Sequence, residues 1–391
     1  MMCDSDYSAR VLGSNDRVHG MKLSRCVLML GILHSAVALG AILTPPEIPE
    51  QPFIRNIHNW GDAVAVVTES YVPEKHTYRY SLGIVYDKAE HIAPFNELNC
   101  GSYDDIAYSQ ELGKVLACSD GQLSRIYRFI EGSWKPISGA LPGDNFRIAV
   151  DRERIAAVAN DTLFLISGFS RRTLLRVHFK VETPHQAPAA LILQGRAVVL
   201  GYDSGEFGGG LYRLELDSAS RSAKLLKSGN IRALDATSSG DIWVADGLAH
   251  MTMERGALYR LNGDRLETVA SISGSMMSRD EEKVLEKSGI LFPGVTEISG
   301  LTLNRSDRPV VAFPEFGVFE LVGGKFVGLI ETPMEFSYSM PGYGVTSRPE
   351  GLVIGKFGDI YIATRSLGVL IFHKSDGRYD TNSEAVRQVL F

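Results

Sequence analysis

The sequence predicts an all-β fold, a seven-bladed β-propeller with four-stranded blades. Three observations predict it. One phrase, a short apolar run, a polar turn and a second run ending in an apolar triplet, occurs seven times, starting near Phe53, Asp105, Phe146, Ala190, Ile231, Ile298 and Arg348. Most copies are spaced by roughly 40 to 50 residues, the length that four short strands and their turns need. Second runs such as Ile242-Trp243-Val244-Ala245 and Val198-Val199-Leu200 are apolar on both faces, as a strand covered on each side by a neighbouring sheet must be.

Of the 391 residues 45% are hydrophobic and 22% charged, which supplies an ample core. A formal charge of −6 and the lack of a long basic run speak against nucleic-acid binding. Residues 1–20 are polar, match nothing that follows, and read as an extension upstream of a start at Met21. From there Lys22 and Arg25, the apolar stretch Cys26 to Leu43, and the small residues Ala36-Val37-Ala38 and Gly40-Ala41 compose a secretory signal over residues 21–41. Left uncut, the same stretch approaches the length of a membrane anchor. Residues 42–52, with Pro45, Pro46, Pro49 and Pro52, read as an extended linker, and the propeller takes 53–391. The expectation is a periplasmic or secreted monomer with no membrane span once the signal is removed. Cleavage leaves Cys100 and Cys118, which flank the first two strands of unit two. Antiparallel pairing puts them on one face and predicts a disulfide.

Unit five shows the blade pattern most fully, with strands expected at Ile231–Ala236, Ile242–Ala245, Ala257–Leu261 and Leu266–Ile272. Asn262-Gly263-Asp264 is a hairpin signal, because Asn-Gly readily takes positive φ. Unit three has the same logic at Asn160-Asp161, between Ile155–Ala159 and Thr162–Ile166. Between units five and six a longer insert, Ser273 to Glu297, contains Ser278-Arg279-Asp280-Glu281 in capping-box form, then Lys283 to Lys287 and Gly289. A short helix is expected there, serving as a lid or covering blade edges. A second insert, Glu331 to Ser347, carries Phe336, Tyr338 and Tyr343. These aromatics are expected to plug the channel, or else to stack on a sugar or peptide.

Gly240-Asp241-Ile242-Trp243-Val244-Ala245 and Gly358-Asp359-Ile360-Tyr361-Ile362-Ala363 resemble the G-x-[LI]-[WY]-[VI]-[AG] signature of bacterial regulator-propeller and NHL-type repeats. Gly256-Ala257-Leu258-Tyr259, Gly317-Val318-Phe319 and Gly368-Val369-Leu370 resemble their third strand. The likeness is strong in units five to seven. It implies a propeller and leaves the chemistry open, since such propellers serve as binding platforms and as enzymes.

No G-x-S-x-G elbow, H-E-x-x-H pair or C-x-x-C pair occurs, and no metal or cofactor is expected. Gly205 to Gly210 lacks a lysine and reads as a hairpin loop. The histidines are scattered. The regular polar feature is acidic: Glu69, Asp120, Asp161, Asp203, Asp246 and Glu315 each end a second strand, with Arg365 in the matching loop of unit seven. Turn chemistry alone accounts for the aspartates beside glycine, though less well for the glutamates. If the loops ring one axis, the acids would share a rim that draws cations or basic segments. Replacing Asp203, Asp246 and Glu315 together by amides is then expected to leave folding intact and weaken binding in a salt-dependent way.

Two functions follow. The first is an exported binding or scaffold module for a protein, peptide or glycan, with Glu69, Asp120, Asp203, Asp246, Glu315, Arg365, Tyr338 and Tyr343 at its site. The second is an enzyme, a lyase or hydrolase on a carbohydrate or lactone, with His250, His185 and Asp246 as candidate catalysts at the channel mouth.

Overall fold

The computed structural model describes residues 53–391 except 73–76, 87–91, 96, 182–186, 206–207, 218–221, 251–252, 274–296, 315, 332–335, 341–342, 348, 365–367, 376, 380–386 and 390–391. The signal and linker expected within 1–52, and the helix expected at Ser278 to Lys287, lie outside the described residues. Among the described residues there is no α-helix, and so none long and apolar enough to cross a membrane.

Seven antiparallel blade sheets follow one another along the chain, their four strands ordered from inside to outside. In the second, Leu141–Pro142 also pairs with the third strand, and in the seventh a small hairpin of Lys374–Ser375 with Arg378–Tyr379 comes before the fourth strand. Their first strands are Phe53–Asn59, Ser102–Ser109, Arg147–Asp151, Ala190–Gln194, Ile231–Ala236, Gly300–Leu303 and Pro349–Ile354. The seventh sheet is completed by Arg387–Val389 and the first begins at Phe53, so among the described residues no sheet mixes strands of the first and seventh blades. All four strands expected in unit five are present. Its middle pair, Ile242–His250 and Met253–Asn262, runs further than the apolar triplet indicates, because ladder pairing continues past Asp246 and Gly247 up to His250 opposite Met253.

Side chains alternate across a strand, so a strand apolar on both faces feeds two packing layers. In the fifth blade Ile242 and Val244 pack towards the fourth, while Trp243 and Ala245 pack towards the sixth. The buried core therefore lies in wedges between blades, one for each of the seven seams among the described residues. The closing wedge joins Ile54, Ile57, Val64 and Val66 of the first blade to Val353, Tyr361 and Val369 of the seventh.

The insert between Glu331 and Ser347 contains a pair of antiparallel strands. Phe336–Met340 pairs with Tyr343–Ser347, with Tyr338 opposite Val345 and Tyr343 opposite Met340. Alternating aromatic and β-branched residues favour this pairing. The expected disulfide is formed between Cys100 and Cys118, whose Cα atoms are 5.8 Å apart.

Candidate functional site

The seven first strands surround a central cavity of about 400 Å³. Connections between blades and hairpins between second and third strands reach its upper mouth, and the other turns surround the lower one. Near the upper mouth, four first strands each bulge by one residue: Arg55, Asp104, Arg232 and Glu350 fall where the ladder register shifts. A bulge re-aims the side chains around it. All four bulged residues are charged, and the third blade has Arg147 at the start of its first strand.

One group of these charges lies where blades one to three meet. Asp105, 2% exposed, accepts from the Ile148 amide at 2.9 Å and faces Arg147 Nη1 at 3.5 Å. His58 Nε2 stands 3.2 Å from the same carboxylate, close enough to pair but without hydrogen-bonding geometry. Burial disfavours charge on Asp105, yet Arg147 and then His58 outweigh it and hold the carboxyl below the usual range. Arg147 donates Nε to the Pro188 carbonyl at 3.1 Å. Burial, reinforced by Arg55, brings its guanidinium down to about 10. Arg55 lies over the Tyr80 ring at 4.2 Å and donates Nη2 to Asn145. Asp104, fully buried, accepts from Ser119 Oγ at 2.7 Å and the Phe146 amide at 3.1 Å. Burial nevertheless pushes it up to about 6.

A second group joins blades four to six. Arg232 pairs with Asp203 and with Glu297, each at 2.7 Å, and donates Nε to the Gly247 carbonyl. Burial opposes its charge, but Glu297, Asp203, Glu350 and Asp246 raise its pKa further. Asp246 accepts the Asn230 amide at 2.9 Å, and Asn230 donates its side chain to Asp203, also at 2.9 Å. Lower in the channel Asp235 accepts the Leu303 amide at 2.8 Å, and burial lifts it to about 6.

These positions bear on the residues singled out from sequence. Asp203 and Asp246 come together, but as partners of Arg232 and Asn230 that fix the inner strand of the fifth blade. Asp246 is 5% exposed and its carboxylate holds a buried amide, which bears on the expectation that it can be neutralised without cost to folding. Asp120 and Asp161 are exposed at hairpin ends, and Asp161 lies 3.9 Å from His178. Glu69 is half-buried within a long second strand, opposite Tyr80. Tyr338 and Tyr343 sit on the inserted hairpin. Glu315, Arg365 and His185 lie outside the described residues. His250 is four residues beyond Asp246 on the same strand, about 13 Å at the rise of extended chain. The group around Asp105 was not singled out from sequence, although charged residues early in the first runs mark it.

No family model matches the chain, and no curated protein matches it. Solved structures do match in shape. The acylaminoacyl peptidase of Pyrococcus horikoshii aligns with a TM-score of 0.50 at 11% identity, over 86% of this chain and 52% of that one. The extracellular domain of BT4673 from B. thetaiotaomicron aligns at 0.49 and 10% identity, over 83% and 39%. The β-propeller domain of the Trilobed protease from Pyrococcus furiosus aligns at 0.48 and 11% identity, over 87% and 95%. The chain thus spans about half of the first of these proteins and about two fifths of the second. These neighbours are β-propeller proteins, and the likeness is one of fold.

Proposed function

We propose that this chain is an exported β-propeller acting as a binding or scaffold module, which receives a protein, peptide or glycan at the upper mouth of its channel. The observation that carries the reading is the concentration of charged side chains, Arg55, Asp105, Arg147, Arg232 and Glu350, at one end of one cavity. Binding sites are concave and hold a few convergent polar groups. In this reading Glu69, Asp120, Glu315, Arg365, Tyr338 and Tyr343 are rim contacts, and export rests on residues 21–41. The test is binding of the full chain to peptide and glycan arrays. Ala190→Trp, which fills the cavity from the fourth blade, should abolish the hits, and Ser239→Trp on the lower face should not. Hits that survive Ala190→Trp and vanish with Ser239→Trp would move the site to the other face.

One observation favours the enzyme reading: His58 lines the cavity 3.2 Å from buried Asp105 with Arg147 alongside, the arrangement of a base oriented by a carboxylate beside an electrostatic stabiliser. Lyase or hydrolase activity on a lactone or oligosaccharide panel that vanishes in His58→Gln would support it. Activity unaffected by that change would end it.

A further inference from the structure

We infer that the upper channel wall formed by blades one to three binds a carboxylate group of the ligand, with Arg147 and His58 as its contacts and Arg55 as the positioning cation behind them. This rests on the channel mouth being the binding site and names the chemistry that one wall of it accepts.

The first support is a surplus of donors. Three side-chain polar atoms among the described residues are buried without a hydrogen-bond partner, and two of them, Arg55 Nη1 and His58 Nε2, belong to this one corner. Native structures leave few buried groups unmet, and those they leave call for a functional account. Neither atom reaches the channel itself: His58 Nε2 stands 3.2 Å from Asp105 and Arg55 Nη1 is covered, so both mark an excess of donors behind the wall, and contact with an acceptor falls to the other polar atoms of Arg147 and His58.

The second support is the charge inventory. Arg55, Arg147 and His58 stand around Asp105, whose carboxylate is already engaged by the Ile148 amide at 2.9 Å and by Asn56 Nδ2 at 3.4 Å. The other carboxylate of the corner, Asp104, points away from the channel, towards Ser119, Ser124 and the Phe146 amide. Further acidic groups stand near: Asp144 disfavours charge on Asp104, Glu69 disfavours it on Tyr80, and Glu350 of the seventh blade lines the same cavity.

The third support is access. Arg147 and His58 line the cavity, with side chains 8% and 28% exposed, whereas Arg55 is held one layer back against Tyr80 and Asn145. A planar guanidinium takes a carboxylate in two parallel hydrogen bonds, and a second cation nearby strengthens the field without needing contact.

The carboxylate could belong to a small acid or to the end of a peptide, and three probes separate these. Acetate, N-acetyl-alanyl-alanine and the C-terminal amide of that dipeptide are titrated calorimetrically into the full chain at constant ionic strength. Both carboxylates should bind saturably and the amide should not. Tighter binding of the dipeptide identifies a chain terminus, and equal binding identifies a free acid. Arg55→Gln and His58→Gln should each weaken carboxylate binding by about tenfold, the scale of one charge-assisted hydrogen bond. Arg125→Gln, an exposed arginine of the second blade, should leave it unchanged. Circular dichroism of each variant confirms folding. The inference falls if the amide binds as well as the acid, or if folded Arg55→Gln and His58→Gln both bind acetate as the parent does. Array hits that depend on Ala190 would survive that failure, leaving the channel-mouth reading in place.

Discussion

Asn59 Nδ2 in the first blade donates to the backbone carbonyl of Ile354 in the seventh at 3.1 Å, across 295 positions of sequence. It completes a circuit on the lower face. Lys114 reaches Asp62 at 2.9 Å between blades one and two, and Arg128 reaches the Gly168 carbonyl at 3.3 Å between two and three. The Gly195 amide reaches Asp151 at 2.9 Å, and Gln194 the Gly240 carbonyl at 2.5 Å. The Ser238 amide reaches Asp307 at 3.1 Å, and Arg305 the Lys356 carbonyl. Every seam of the ring has a polar link in addition to its apolar wedge.

The closing seam is sensitive to volume. A Cβ on Gly351 would stand 2.7 Å from Ile57 Cγ2, inside the wedge that joins the seventh blade to the first. Gly351→Ala is expected to destabilise the fold by about 1–3 kcal/mol through overpacking. Gly139→Ala, where the added atom meets nothing within 4 Å, should be near neutral. Urea midpoints of the two variants check the contrast.

Stability should fall as pH rises from about 4 to about 6 through Asp104. Its carboxyl is raised from 3.8 to about 6 in the folded chain, so across that window the folded state holds a proton that the unfolded state has released. The contribution is about 1–3 kcal/mol, from the conversion of pKa shift to free energy. Asp235, also raised to about 6, adds in the same direction. Asp104→Asn can still accept from the Phe146 amide and can donate to Ser119 Oγ. It should fold, reduce the slope between pH 4 and 6, and match or exceed the parent at pH 7. Denaturant melts at several pH values would show an unchanged slope if this is wrong.

Tyr202 is 1% exposed and its hydroxyl is buried without a partner, with its ring edge-on to Tyr212 at 5.7 Å. Removing an unsatisfied buried group while keeping the ring relieves a desolvation cost. Tyr202→Phe should be neutral or stabilise by about 1 kcal/mol, read as a rise in thermal midpoint.

Asp203 and Asp120 occupy matching places in the repeat but should answer differently to neutralisation. Asp203→Asn removes one of the two carboxylates paired with Arg232 and should cost about 1–3 kcal/mol, because the pair is largely buried. Asp120→Asn, at an exposed hairpin end, should cost less than about 0.5 kcal/mol.

Reducing the Cys100–Cys118 bridge, which closes a loop with a sequence separation of 18, should lower stability by about 3 kcal/mol. Equal urea midpoints with and without reductant would show that the bridge adds nothing.

The architecture was legible because it rests on local signals. Asn160 and Gly263 take positive φ at 50° and 57°, in the hairpins their neighbours announce. The charged mouth was harder to see, though five units repeat it: Ile54-Arg55, Tyr103-Asp104-Asp105, Phe146-Arg147, Ile231-Arg232 and Pro349-Glu350. In a strand, a charge beside an apolar residue reads as a solvent-facing position. Ring closure turns that face into a channel wall, and the bulges that re-aim the side chains leave no mark in the alternation. The acids at the ends of second strands show the converse. Asp246 looks like a turn residue beside Gly247, and the amide of Asn230, just before the first strand of the same blade, ties it into the interior.

Because no sheet among the described residues shares strands between the first and seventh blades, the two can part without unzipping a sheet. Among the described residues their separation would give up one apolar wedge and links such as the Asn59 hydrogen bond, while the ladder hydrogen bonds of each sheet stay made. The bore is thus set by side-chain volumes at seven joints rather than by backbone pairing around the circumference. A ring clasped in this way is closed like a split collar, by side chains at one joint.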